Sequence, residues 1–149
     1  MARLSCLLVT LAVCFLFSNV HARPMTHFHF YGKIECPKVV LRYQIYAREY
    51  SFDYRHSFRE LAKTPFQVAH KPYSYDLKFS TNITELATDY DVALVISHDC
   101  TDDGSTKDFG IVPQTIDGLG QFYQSGNHTV ELNFPNILNA EHKITKNDW

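Results

Sequence analysis

The sequence predicts an all-β protein, an antiparallel β-sandwich of about seven strands. Three observations carry this prediction. Apolar residues recur with a period of two rather than about 3.6 along most of the chain. Aromatic residues are abundant, with 11 Phe and 9 Tyr among 149 residues, and they fall inside the alternating runs, where a pleated surface accommodates them. Finally, turn-forming clusters separate the apolar runs at intervals that suit short strands.

The first 22 residues stand apart from this pattern. Met1-Ala2-Arg3 is a short basic start, residues 4–17 are nearly all apolar, and Ser18 to Ala22 is a small and polar exit. This is the layout of an export signal, with Val20 and Ala22 at the positions a signal peptidase reads. The apolar run is shorter than the roughly 20 residues a membrane-crossing helix needs. Cleavage after Ala22 is expected, leaving residues 23–149 as one secreted domain of ordinary size, with no stable membrane span. The formal charge of −2 becomes one unit more negative with the loss of Arg3. Such a mild balance argues against a nucleic-acid partner, which selects a basic, clustered surface.

The strands follow in order. Phe28, Phe30 and Gly32 share one face of the first, with His27, His29 and Tyr31 on the other. Residues 39–49 form the clearest strand, placing Leu41, Tyr43, Ile45 and Ala47 inward and Arg42, Gln44, Tyr46 and Arg48 outward. Residues 50–70 lack a clear period, although Phe66 and Val68 can open a strand that breaks before Lys71-Pro72. Tyr73, Tyr75, Leu77 and Phe79 alternate again, and residues 82–88 suit a single helical turn capped by Thr81 or Asn82. Val92, Leu94 and Ile96 interleave with Ala93 and Val95, which marks a strand buried on both faces. Thr101 to Ser105 is a turn by composition. Phe109 and Ile111 mark a further strand, and Val130, Leu132 and Phe134 the last; the polar tail beyond Pro135 is expected to be loosely ordered.

Of four cysteines, Cys6 and Cys14 lie in the export segment. Cys36 and Cys100 remain, and an isolated pair in an oxidising compartment is most simply a structural disulfide. Two sequons, at Asn82 and Asn127, fit the same compartment and are expected N-glycosylation sites.

The run Phe28-His29-Phe30-Tyr31-Gly32-Lys33-Ile34-Glu35-Cys36, followed by the alternating residues 40–49, resembles the opening of nematode transthyretin-like proteins. Ala93 to Cys100 resembles that family's apolar strand ending in His-x-Cys, Phe109 to Pro113 its Ile-x-Ile-Pro step, and Thr129 to Phe134 its closing strand. Together these anchors cover roughly residues 26–134. The chain departs from the family at Pro37-Lys38-Val39, where a Gly-x-Pro turn is usual, in residues 50–72, and in lacking a second cysteine pair. The resemblance is to a divergent member. It implies a prealbumin-like sandwich, a Cys36–Cys100 bond and an extracellular life, and it brings no catalytic residues.

The chemistry-bearing clusters are sparse. His27 and His29 share a strand face at a spacing that can chelate zinc or copper, with His98 or Asp99 as the only candidate for a third ligand; no metal site or cofactor is expected. Ser97-His98-Asp99 has the letters of a triad, but neighbours on a strand face opposite ways. Asp102-Asp103-Gly104 lacks the ligand spacing of a calcium loop. The chain ends Lys146-Asn147-Asp148-Trp149, without the Tyr-Arg-Gly-Ser tail of the hydroxyisourate hydrolases in the wider superfamily. A stretch of aromatic and basic residues remains: Tyr50, Tyr54, Arg55, Phe58 and Arg59, beside Tyr46, Arg48, Phe52 and His56. Aromatic and Arg side chains are enriched at binding hot spots, which makes this stretch a candidate partner surface; the favoured reading is an amphipathic hairpin whose aromatic face is core. The expected function is a secreted, non-enzymatic binding or signalling module that recognises an extracellular protein, a cell surface or a small apolar ligand. The alternative is a secreted hydrolase or metal-dependent enzyme using His27, His29 and His98.

Overall fold

A computed structural model describes residues 25–50, 58–81, 89–113, 121–123 and 126–144, with the side chains at 50, 89, 90 and 121–123 left out of the description. All regular structure among the described residues is β: β1 (Thr26–Ile34), β2 (Val40–Tyr50), β3 (Phe58–Lys63), β4 (Gln67–His70), β5 (Tyr73–Thr81), β6 (Asp89–His98), β7 (Lys107–Ile111), β8 (Gln121–Tyr123) and β9 (Gly126–Glu131). Sheet A has the order β5-β1-β9; sheet B has the order β3-β2-β6-β7, with β4 also on β2 and β8 also on β6.

The inner faces follow the alternation. Phe28, Phe30 and Ile34 of β1 with Tyr73, Tyr75 and Leu77 of β5 meet Leu41, Tyr43, Ile45 and Ala47 of β2 and Val92, Leu94 and Ile96 of β6 in one buried cluster. Aromatic stacking fills sheet A's side: the Phe28 ring lies 5.0 Å from Phe79 and 5.8 Å from Phe30. β6 is buried on both faces, since Ala93 and Val95 on its outer side are also shielded.

The expectation of a purely antiparallel sandwich needs one correction. β9 runs parallel to β1, with Thr26 to Tyr31 facing Gly126 to Glu131. The reason is where the chain crosses over: β8 pairs with the start of β6 in sheet B, and within a few residues the chain enters sheet A beside the start of β1. The strand count rises for a different reason. β3 is an edge strand whose register on β2 jumps from Ala62 to Glu60, leaving Leu61 without a partner of its own; a bulged edge has no clean in-and-out period to read.

The tail beyond Pro135 is not loose over its described length. Phe134 and Ile137 are fully buried. Phe134 N donates to Lys33 O, Ile137 N to Glu35 O, and Asn139 N to Cys100 O. Farther on, Gly110 N donates to His142 O and His142 N to Asp108 O, which closes the β7 edge. Two apolar residues among polar ones suffice to anchor this segment, because each enters a core already shaped by strands. Gly32 is required where the tail passes: a Cβ there would collide with the backbone carbonyl of Leu132.

The disulfide joins the layers. Cys36, just past β1, is bonded to Cys100, just past β6, with Cα atoms 6.2 Å apart and a sequence separation of 64. Both cysteines are buried, and a buried disulfide is chemistry of an oxidising compartment. No helix among the described residues is long and apolar enough to cross a membrane.

Candidate functional site

The two outer faces differ in what they display. Sheet A presents His27, His29, Tyr31 and Lys33 flanked by Ser80, Lys78, Asp76 and Ser74 on β5 and by Asn127, Thr129 and Glu131 on β9. Several of its polar groups meet across the strands. His27 Nδ1 lies 2.6 Å from Ser80 Oγ, and His29 Nε2 lies 3.1 Å from Asp76 Oδ2. Lys78 Nζ is 3.4 Å from the same carboxylate. Burial pushes the Asp76 carboxyl pKa up, but hydrogen bonds from His29 and Lys78 together outweigh it and hold the group below its ordinary value. Asn127 is exposed on this face, directly across from His27. Its amide stands where a glycan would project into solvent.

Sheet B presents the outward row of β2: Val40, Arg42, Gln44, Tyr46 and Arg48. On β4, His70 and Val68 lie across from Val40 and Arg42, and Phe66 immediately precedes them. Four of the eight exposed large hydrophobic residues among those described belong to this face: Phe66 (64%), Val68 (62%), Phe58 (52%) and Val40 (39%). Sheet A's outer face holds one, Tyr31, at 36%. Single exposed hydrophobes are ordinary, but Val40, Phe66 and Val68 cluster at one end of this face, and such a cluster marks an interaction surface. A groove of about 240 Å³ runs beside Phe66, walled by Arg42, Gln44, Ser97, Asp99 and Thr106. A second, wide and shallow depression of about 660 Å³ lies at the disulfide end, between Lys33, Glu35, Pro37, Lys71 and Tyr73.

At the other end of the β2 row, Tyr46 donates to Gln44 Oε1 (2.7 Å) and Gln44 Nε2 to Thr64 O (2.7 Å). Thr64 is itself buried, with Oγ1 accepting from Ile45 N at 3.0 Å. The Tyr46 ring is therefore a fixed platform. The Arg48 guanidinium lies over it, 5.1 Å from its centroid, and 4.3 Å from the ring of Phe58. These stacks are cation–π contacts. Arg48 Nε is buried and has no hydrogen-bond partner among the described residues.

The expected site residues divide accordingly. Of the aromatic-basic stretch, Phe58 is exposed and takes part in the Arg48 stack, whereas Arg59 is committed to Glu49 at 2.6 Å. Tyr50 pairs through its backbone with Phe58. Tyr54, Arg55, the Asn82 sequon and the helical turn expected at residues 82–88 lie outside the described residues, as does the expected export signal. Val40, Phe66 and Val68 were not anticipated as surface. The outward parity of Val40 on β2 was the available signal; edge strand β4 carried none.

The three histidines of the enzyme alternative are not brought together. His27 and His29 are on sheet A's outer face, while His98 is on sheet B's inner side across from Tyr43 and almost fully buried. Both His98 ring nitrogens are engaged by backbone: Nδ1 accepts from Cys100 N at 3.2 Å, and Nε2 lies 3.2 Å from Ala140 O. Desolvation depresses its pKa, against the opposing pull of the Ala140 carbonyl and the charges of Asp108 and Asp99. His98 ties the end of β6 to the C-terminal segment. Ser97 faces the opposite side, across from Gln44. Among the described residues no group of three His, Cys, Asp or Glu is placed to hold a metal ion. The Asp102 and Asp103 carboxylates serve the turn: Asp102 Oδ2 accepts from Asn139 Nδ2 (2.7 Å), and Asp103 Oδ1 accepts from Ser105 N (2.9 Å). Hydrogen bonds from Ser105 hold the Asp103 pKa down at about 2.

Comparison with protein-family models, with characterised proteins and with solved structures finds no match to this chain.

Proposed function

We propose that this protein is a secreted, non-enzymatic binding or signalling module of the transthyretin-like kind, and that it recognises another extracellular protein through the outer face of sheet B. The observation that carries this reading is the exposure of four large apolar residues along that face: Val40, Phe66 and Val68 toward one end of β2, and Phe58 with the stacked Arg48 at the other. A broad, shallow apolar surface with an Arg anchor suits a protein partner. A small apolar ligand instead favours an enclosed cavity that buries most of its surface. The two-layer sandwich and the bond between Cys36 and Cys100 support the transthyretin-like part of the reading, since the resemblance implies both.

The test uses the full mature chain, immobilised and exposed to extracellular fluid. A Val40→Thr/Phe66→Ser/Val68→Thr variant should lose the captured partners, while a His29→Ala/Asp76→Asn variant on sheet A should keep them. Equal recovery by all three proteins would reject sheet B as the recognition surface.

A further inference from the structure

We infer that Arg48 is the electrostatic anchor of this surface, and that it receives the carboxylate of an Asp or Glu in an acidic, apolar-flanked segment of the partner protein. The inference rests on the binding-module reading and adds to it the chemistry of the partner.

Charge balance is the first support. Among the described residues, the other cations in this corner of sheet B each have a carboxylate: Arg59 Nη2 lies 2.6 Å from Glu49 Oε2, and Lys63 Nζ lies 3.1 Å from Glu60 Oε1. Glu60 is the residue directly across the strand pair from Arg48, yet its carboxylate engages Lys63. Arg48 is left with two aromatic rings and no ion pair among the described residues.

Preorganisation is the second. A guanidinium held between Tyr46 and Phe58, with the Tyr46 hydroxyl bonded to Gln44, has already lost the freedom that a loose surface arginine surrenders on binding. Its planar fork matches a carboxylate bidentately.

The third is the size of the charge. One unneutralised cation beside exposed Phe58 complements a single acidic side chain next to an apolar one. Anionic membranes and polyanions instead select clusters of several basic residues.

The experiment titrates matched peptides into the mature protein and follows binding by calorimetry and by the NMR signal of the Arg48 Nε–H. One set carries a single Asp or Glu beside Phe or Leu on a Gly/Ser scaffold; its twin carries Asn or Gln instead. Carboxylate peptides should bind about tenfold more tightly than their amide twins, as a charge-assisted hydrogen bond commands. Arg48→Gln should erase that difference, and Arg48→Lys, which keeps charge without the planar fork, should restore only part of it. If Arg48→Gln fails to fold, Arg48→Lys alone carries the comparison, and a full carboxylate preference in it overturns the bidentate anchor. Equal binding of the twins, or no binding by either set, overturns the inference. So does Arg48-dependent binding confined to vesicles containing phosphatidylserine. The broader reading fails separately, when the Val40/Phe66/Val68 variant captures the same partners as the wild type.

Discussion

The outer faces of sheets A and B are built by the same alternation, yet they are chemically unlike. On sheet A the outward groups answer one another across strands: His27 with Ser80, and His29 and Lys78 with Asp76. On sheet B the outward row of β2 leaves Val40 exposed beside Val68 and Phe66, and holds Arg48 between two rings without a counter-charge among the described residues. Among the described residues, sheet A's outer face exposes one large hydrophobic residue and has little apolar area to offer a partner. A face that exposes several, with a stacked arginine at one end, gains from being covered. The difference shows that pattern assigns residues to the outside, whereas neighbours decide whether that outside is idle.

The largest perturbation strikes both faces at once, because the disulfide joins the end of β1 to the end of β6. In the loop-entropy account, a crosslink spanning 64 residues contributes about 4 kcal/mol. A Cys36→Ser/Cys100→Ser protein should melt more than about 10 °C lower; a melting curve matching the wild type would sink the structural role of the bond.

A glycine on each sheet sharpens the contrast. At Gly32 in sheet A an added Cβ meets the Leu132 backbone, which cannot yield, and Gly32→Ala should cost about 1–3 kcal/mol in denaturant unfolding. In sheet B, a Cβ on Gly110 meets Ile144 Cγ1 at 2.6 Å, the side chain of a terminal segment that can turn away. Gly110→Ala should therefore be the milder change, and equal midpoints would show the tail to be as rigid as the sheet.

Next in size is a pH effect centred on His98. Its folded pKa lies below the ordinary 6.5 because of burial, so the unfolded chain binds the proton more readily. Stability should be fully present above about 6.5 and should decline as pH falls through that value toward the folded pKa. Urea midpoints from pH 7.5 to 5 should show this slope, and a His98→Gln variant should flatten it. An unchanged slope in the variant would assign it to other groups.

Smaller still are changes to the faces themselves. Phe66→Ser/Val68→Ser should alter stability by no more than about 0.5 kcal/mol while shortening retention on a hydrophobic-interaction column. Lys78→Ala on sheet A should leave retention as it was; a parallel shift would erase the distinction between the faces. The smallest effect is expected of Asn127→Gln, which should remove one glycan-sized increment of mass and move the melting temperature little, since Asn127 is an exposed residue of an outer face.

Much of the fold was legible beforehand for a local reason. Leu41 to Ala47 and Val92 to Ile96 are uninterrupted alternations, and a strand buried on a known face has little other choice of register. β3 was illegible because its edge position and the bulge at Leu61 blur the period. The site was half legible. Phe58 and the outward direction of Arg48 could be read, but Phe66 and Val68 gain meaning only beside Arg42 and Val40 on the neighbouring strand. Nothing in the letters shows that Arg59 is neutralised by Glu49 while Arg48 is not.

By itself, the sequence determined the all-β class, the inward and outward sides of the main strands, and the expectation that Cys36 and Cys100 pair. These depend on residues a few positions apart, or on a choice with one solution. Tertiary structure decided the parallel seating of β9, the anchoring of the tail through Phe134 and Ile137, and the closure of the β7 edge by His142. It also decided that Arg59 meets a carboxylate while Arg48 meets two aromatic rings. Each of these depends on groups distant in the chain that meet only once the two sheets have packed, and a pairwise electrostatic or steric outcome cannot be read from either partner alone.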